Sequence, residues 1–467
     1  VSRPAAGPAS RGRRLTFFVV VTGSVLASLD LFIVNIAFGS IGVSFPDASA
    51  RELAWVLNAY GIAFAAFLVP FGRIADTIGR KRVFTAGLIV FALASAVCTA
   101  APSLWILVAA RAVQGAGAAA VIPTSLGLLL SSAPPADHKR LVSIWAATGS
   151  IAAALGPTAG GLLVQFGWRW IFLITVILAV PALTLVGRVQ AQPGRGRRLP
   201  DLLGSAALAL SAGLLVWVVS YSSDPDTTAL GLSVAAGAAA ILAAVFVWRS
   251  RRARVPAVDL RVFTARGFRF ASVGMLFFYA AFGIMLLSAP LVLTGALDLP
   301  PALAGLAFGA GPAAAVVSTL VAGRLPATPR MLGVLGGALF AAGGAWWLAV
   351  LVPTGSLWWG YMPGIVLTGL GAGVAQTSFI AGGTASLPAT EYSAGAGILN
   401  TGRQIGSALG VAVFVAVTAV GADDASVFAP AWGVMSAAAA LALVAALCMG
   451  GRTSTAADIA ELESSAG

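Results

Sequence analysis

Apolar runs of helix length follow one another along almost the whole sequence, and each is broken only briefly by charge or by turn residues. A bilayer-spanning helix needs about 20 mostly apolar residues, so this feature limits the fold more than any other. Charged residues make up 9% of the 467 positions and apolar ones 59%. Ordinary soluble domains carry about 25% charge, and so scarce a supply cannot cover a water-soluble globule. A soluble enzyme, a disordered chain and a disulfide scaffold are excluded. Strands of a membrane barrel would alternate apolar and polar residues at period two. These runs are apolar all round and rich in Ala, Leu and Gly, which predicts an all-α integral membrane protein.

The expected spans are 15–40, 53–71, 83–101, 103–131, 141–164, 169–187, 202–221, 229–248, 270–293, 302–322, 331–352, 357–386, 393–420 and 430–450. Pro134-Pro135, Asp224-Pro225 and Pro300-Pro301 mark breaks between them. The narrowest cuts are at Ala101-Pro102-Ser103 and around Gly355. The chain opens with Val rather than Met, as a processed or alternative start would. Leu15 to Ser40 is too long for a signal-peptide core and holds Asp30 and Asn35, so it reads as a permanent span.

Basic residues collect in cytoplasmic loops. With fourteen spans and both termini inside, 24 of the 28 Lys and Arg residues fall on the cytoplasmic side. The outer loops keep only Arg51 and Arg169, together with Asp47, Asp224, Asp226, Asp298, Asp423 and Asp424. One missed span would invert every later loop. The net charge of +12 thereby becomes an orientation signal with contacts to anionic lipid, and nucleic acid is not an expected partner. The basic stretch 249–269 reads as part of that signal or as an interfacial segment.

Three similarities suggest an internal repeat, as transporter folds often show. Gly72-Arg73-Ile74 resembles Gly323-Arg324-Leu325, Thr148-Gly149 resembles Thr401-Gly402, and Gly115-Ala116-Gly117 matches Gly371-Ala372-Gly373. The near-constant offset divides the chain into a basic tail (1–14), a six-helix bundle (15–187), two extra helices (202–248), a basic loop (249–269), a second six-helix bundle (270–450) and a tail (451–467). Cys98 and Cys448 lie in apolar runs as small packed side chains. The single histidine, His138, sits in a polar loop. Neither metal nor cofactor is expected.

Asp30 is the only carboxylate well inside a span. An intramembrane acid costs a few kcal/mol or more and is by default functional. Arg111, with Gln114 at i+3, forms a polar stripe in an apolar run. Pairing of Asp30 with Arg111 would lower the cost of both, as a static ion pair or as a proton or substrate site. Gly149, Ala153, Gly156 and Gly160 line one helix face, where small residues let helices approach closely, and Pro157 adds a kink. Asn400, Arg403 and Gln404 share a face and either line a cavity or hold a gate. Tyr60, Trp145, Phe278 and Tyr279 are candidates for stacking on an aromatic substrate, or simply core or lipid-facing residues. Gly72, Arg73, Asp76, Gly79, Arg80, Lys81 and Arg82 form a short loop with one acid among bases, readable as a latch between moving halves or as an orientation signal.

Gly72 through Arg82 closely resembles the G-x-x-x-D-x-x-G-R-[RK]-[RK] loop of the major facilitator superfamily. Leu29-Asp30-Leu31-Phe32-Ile33-Val34-Asn35-Ile36-Ala37 is similar to the first-helix motif of its 14-spanner drug:proton antiporters. Arg111 through Gly117, the antiporter motif from Gly149 through Gly156-Pro157 to Gly160-Gly161, and Leu399 through Gly406 resemble later motifs in the expected order. Phe38-Gly39 departs from the family's usual Leu-Pro, which puts the end of the first helix in doubt.

The resemblance implies two six-helix bundles plus two extra central helices in the plasma (inner) membrane. It implies proton-coupled efflux by alternating access of amphiphilic, often cationic or aromatic compounds such as drugs, antibiotics or natural products. Asp30, Asn35, Arg111, Gln114, Asn400, Arg403 and Gln404 would handle proton and substrate, and the loop from Gly72 to Arg82 would gate. The expected partners are a small-molecule substrate, protons and membrane lipids, with the chain a monomer. A nutrient uptake symporter on the same fold is the alternative. A membrane-embedded enzyme lacks a catalytic constellation, and no G-x-x-x-x-G-K-[ST] loop points to ATP.

Overall fold

In the computed structural model, which describes residues 8–134, 137–189, 194, 200–388, 391–418 and 424–449, the apolar runs are helices. We label the long ones α1 (Pro8–Ile36), α2 (Ala50–Ile78), α3 (Arg80–Ala100), α4 (Leu104–Ser131), α5 (His138–Val164), α6 (Arg169–Val186) and α7 (Leu202–Tyr221). They continue as α8 (Ala229–Arg252), α9 (Arg266–Thr294), α10 (Pro301–Ala322), α11 (Pro329–Trp346), α12 (Met362–Thr384), α13 (Tyr392–Val417) and α14 (Ala429–Cys448). No strand occurs among the described residues.

Local chemistry sets the ends. Ser49 and Glu52 form a reciprocal capping box at the start of α2, and Ser103, Thr228 and Thr328 cap α4, α8 and α11. Gly355 takes a left-handed φ of 56° and separates two π-helical turns, Trp347–Leu351 and Leu357–Tyr361, that extend α11 and precede α12. Ala101-Pro102-Ser103 does divide two helices.

One expectation is corrected. The first helix stops at Ile36 rather than reaching residue 40, and Phe38–Ser44 forms a separate short helix after Ala37. Among the described residues, twelve helices are long and apolar enough to cross a membrane. The helices at the fifth and thirteenth expected positions, α5 and α13, are absent from the twelve. Asn400, Arg403 and Gln404 dilute the apolarity of α13, and α5 offers Leu155–Val164 as a shorter apolar stretch.

Helices α1 to α6 pack together, as do α9 to α14. The two groups meet where α5 crosses α10 and where α2 runs along α13, with a smaller contact between α1 and α9. Helix α7 lies in the seam between α2 and α13, where Val216 and Ala212 pack with Ile62, Ala408 and Ala412. Helix α8 packs on α7 and leaves most of its surface uncovered, as lipid contact requires.

Candidate functional site

Two helices, α1 and α4, bring Asp30, Arg111 and Gln114 together, and α2 and α3 complete their surroundings. Asp30 on α1 is fully buried. Arg111 on α4 donates from Nη1 to Asp30 Oδ2 at 2.5 Å and from the same nitrogen to Gln114 Oε1 at 2.5 Å. Gln114 Nε2 donates to Asp30 Oδ1 at 3.0 Å and to Ser95 Oγ on α3 at 2.8 Å. Arg111 Nε reaches the Val56 carbonyl on α2 at 3.0 Å, and its guanidinium lies 4.3 Å from the centre of the Tyr60 ring. Both carboxylate oxygens of Asp30 are thus occupied, and the positive charge of Arg111 is met by a carboxylate, a carbonyl and an aromatic face. Burying two charges is tolerable only with such complete pairing.

A second, smaller feature lies beside this network. Asn35, Asn58, Arg111 and Gln404 line a cavity of about 30 Å³ at the contact between α1, α2 and α13. Asn35 Nδ2 donates to the Leu31 carbonyl at 2.9 Å, while Asn35 Oδ1 and both side-chain amide atoms of Asn58 have no hydrogen-bond partner. The space suits one water molecule. Sequence reasoning passed over Asn58 and Ser95, although a polar residue within an apolar run marked each of them. Asn400 donates to its own helix at Ala396, and the Arg403 guanidinium lies 5.2 Å from the Tyr279 ring centre. Of the α13 residues expected at the site, only Gln404 approaches the Asp30 network.

The large cavity lies elsewhere, between α1, α9, α10 and α12, with a volume of about 360 Å³. Phe32, Phe282, Phe308, Met285, Gln376 and Thr377 are among its lining, and no charged side chain is. The expected stacking residues are not in this wall. Tyr60 is buried over Arg111 and donates to the Ala27 carbonyl, Trp145 donates to Ser125, and Phe278 sits in a cluster with Phe340 and Phe379. Tyr279 stands behind the wall, donating to Gln376 Oε1 at 2.8 Å and packing its ring 5.3 Å from that of Phe282.

The glycines of α5 let it pack closely on α1 within its own group and on α10 of the other. A Cβ on Gly156 or Gly160 would meet Phe32, Ile33 and Ile36 of α1. A Cβ on Gly161 would lie 2.3 Å from the Pro301 carbonyl oxygen of α10, and one on Gly305 would lie 2.5 Å from that of Pro157. The backbones of α5 and α10 therefore touch, which only glycine permits. Gly149 belongs to α5, but its surroundings lie outside the described residues.

The segment from Gly72 to Arg82 differs from the expected loop. Gly72 through Ile78 continues α2 and Arg80 opens α3, so the break is Gly79 alone, at a φ of 104°. Asp76 pairs across this break with Arg80 at 3.1 Å, both well exposed. Arg80 also donates to the Gly127 carbonyl of α4, Lys81 to those of Gly187 and Val189, and Arg73 to that of Pro256 in the basic 249–269 stretch. The bases thus cap helix ends as well as carrying charge.

A helical membrane protein whose two helix groups meet around an internal cavity, with an ion pair buried in one of them, belongs to the class of membrane transporters. The chain is a member of the Major Facilitator Superfamily, which it matches over residues 20–411. Multidrug resistance protein Stp of Mycobacterium tuberculosis (strain ATCC 25618 / H37Rv) is 33% identical over 419 residues, covering 88% of this chain and 76% of that protein. Methylenomycin A resistance protein of Streptomyces coelicolor is 32% identical, covering 88% and 86%. Cephamycin export protein CmcT of Amycolatopsis lactamdurans is 33% identical, covering 89% and 88%. Among solved structures, a bacterial homologue of the human lysosomal transporter Spinster aligns with a TM-score of 0.67 at 15% identity, over 96% of this chain and 98% of that one. That likeness concerns the fold alone. The chain is a multi-pass transporter of the plasma membrane and not an enzyme, and its relatives are named for drug and antibiotic resistance and export.

Proposed function

We propose that the protein exports amphiphilic small molecules, antibiotics or natural products among them, in exchange for protons by alternating access. The observation that carries this reading is the Asp30–Arg111–Gln114 network, a fully buried charge pair whose Asp30 shares α1 with Phe32 in the wall of a cavity between the two helix groups. Proton exchange needs a group whose charge can change, and the arginine guanidinium keeps its proton at any working pH. Asp30 is that group. Protonation would release its ionic hold on Arg111 and free the four helices it ties together, and proton loss would restore the tie.

We read the chain as fourteen spans with both termini cytoplasmic. Helices α5 and α13, 27 and 26 residues long, are long enough to span and stand in the contacts between the two groups, where polar residues face protein rather than lipid. On the positive-inside rule the end bearing Arg73, Arg80, Lys81 and Arg249 is cytoplasmic. The α5–α10 backbone contact at Gly161 and Pro301 then seals the outer end. The large cavity extends from Phe32 toward Thr319 and Ala381, near the cytoplasmic ends of α10 and α12, as in an inward-facing state. Rocking of α1–α6 against α9–α14 would break that seal and open the other side. Pro157 and Gly161 hold the seal, Gly156 and Gly160 seat α5 on α1 behind it, and Asp76 with its neighbouring bases gates the cytoplasmic end.

The test is a compound panel on everted vesicles carrying a proton-gradient dye. Export by exchange predicts substrate entering the lumen as protons leave it. Substrate and protons moving in the same direction would make the protein a symporter.

A further inference from the structure

The sequence admits cationic cargo held by Asp30, but the structure separates that carboxylate from the cavity. Asp30 does not line it, and both its oxygens already accept hydrogen bonds from Arg111 and Gln114. Among the described residues, no Asp or Glu lines the cavity. A charge behind the Gln376 side of the wall has the opposite sign to the one a cation needs. Arg403 stacks on the Tyr279 ring at 5.2 Å, and among the described residues it has no carboxylate partner. A buried cation without a counter-charge is expensive, and a second positive charge close by raises that cost.

The polar groups of the wall favour another kind of molecule. Tyr279 donates to Gln376 Oε1 at 2.8 Å, which fixes the amide and leaves its N–H donors for the cavity. Thr319 and Thr377 spend their hydroxyl protons on the carbonyls of Ala315 and Gly373, both at 2.8 Å, and so offer only lone pairs. The rest is apolar and aromatic, with Phe32 and Phe282 edge to face at 6.4 Å and Phe308 fully buried behind them. A volume of about 360 Å³ accepts a drug-sized molecule.

We propose that this cavity selects uncharged amphiphiles bearing a carbonyl or similar acceptor, read by Gln376 and shielded from cations by Arg403 behind Tyr279. The proposal rests on the export reading for its purpose, but binding tests it independently of transport.

The experiment measures tryptophan-to-dansyl energy transfer on the full-length protein in nanodiscs, with an uncharged dansyl amide and a dansyl quaternary ammonium of matched size as probes. The amide is expected to bind at least about 30-fold more tightly than the ammonium. Gln376→Leu, which keeps the volume, should weaken amide binding about 3- to 10-fold. Thr377→Phe should abolish it by filling the space, and thermal unfolding of both variants checks that the fold is kept. Arg403→Gln should improve ammonium binding several-fold, a gain that a misfolded protein cannot give. Equal binding of the two probes, or amide binding unaffected by both Gln376→Leu and Thr377→Phe, overturns the proposal. Selective amide binding without any proton-coupled movement of the probe in liposomes upholds it and removes the export reading instead.

Discussion

Replacing Asp30 with Asn tests whether the buried network is one coupled unit. Arg111 would lose its only carboxylate partner while staying buried among α1, α2 and α4. Breaking a buried pair from one side costs about 3–5 kcal/mol. Part of that is offset here, because Arg111 keeps the Val56 carbonyl, Gln114 Oε1 and the face of Tyr60. The net expectation for Asp30→Asn is therefore a loss of about 2–4 kcal/mol. Arg111→Gln should cost at least as much, since it strips Asp30 Oδ2 of its donor and the Val56 carbonyl of its partner. The double variant leaves two neutral amides that can bond to each other and to Gln114, so it should lose only about 1–3 kcal/mol. The coupling between the two positions would then be about 1 kcal/mol or more. The assay is equilibrium unfolding of the four proteins in mixed micelles, followed by tryptophan fluorescence. Proton release on adding substrate to each protein in liposomes is measured in parallel and should vanish in both variants lacking Asp30. Additive losses in the cycle would refute the unit. Undiminished proton-driven transport by Asp30→Asn would move the coupling site to another carboxylate.

Three further outcomes are expected. Asp76→Asn removes an exposed i,i+4 contact worth about 0.3 kcal/mol, so unfolding should hardly change while transport in vesicles falls strongly; wild-type transport would reduce Asp76 to part of an orientation signal. Gly161→Val places atoms where the Pro301 carbonyl stands, so it should force the α5–α10 contact apart and raise labelling of a cysteine at Ala304 by an impermeant reagent on intact cells; unchanged labelling would mean that the contact is no seal. Asp201 caps α7, and its carboxyl is held below the usual carboxylate range by the hydrogen bonds from Arg249, with the Gly204 amide helping. A depressed folded value gives stability that is present at neutral pH and lost as pH falls through the carboxylate range. Thermal midpoints taken down that range should therefore fall more for the wild type than for Arg249→Gln, and parallel curves would contradict the pairing.

The division between what sequence reveals and what packing decides follows from the range of the interactions. Apolar runs, turn residues and the asymmetric bases are local or summed properties, so the helices and their order were readable from the chain alone, as was membership of the family, carried by short motifs such as Arg111 to Gly117. Asp30 and Arg111 stood out because any charge in an apolar run must find a partner, and so few were available that the pair could be expected. Helix packing decided the rest. Only the placement of α3 supplied Ser95 to Gln114, and only the approach of α2 placed Asn58 beside Asn35 and Arg111. The Gly72–Arg82 segment looked like a loop because glycine and charge mark turns, yet neighbouring helix ends accept its bases and keep α2 helical as far as Ile78. The cavity was the least legible feature of all. Its wall is Phe32, Phe308, Gln376 and their neighbours from four helices far apart in sequence, and in the linear chain a phenylalanine facing a cavity cannot be told from one facing lipid.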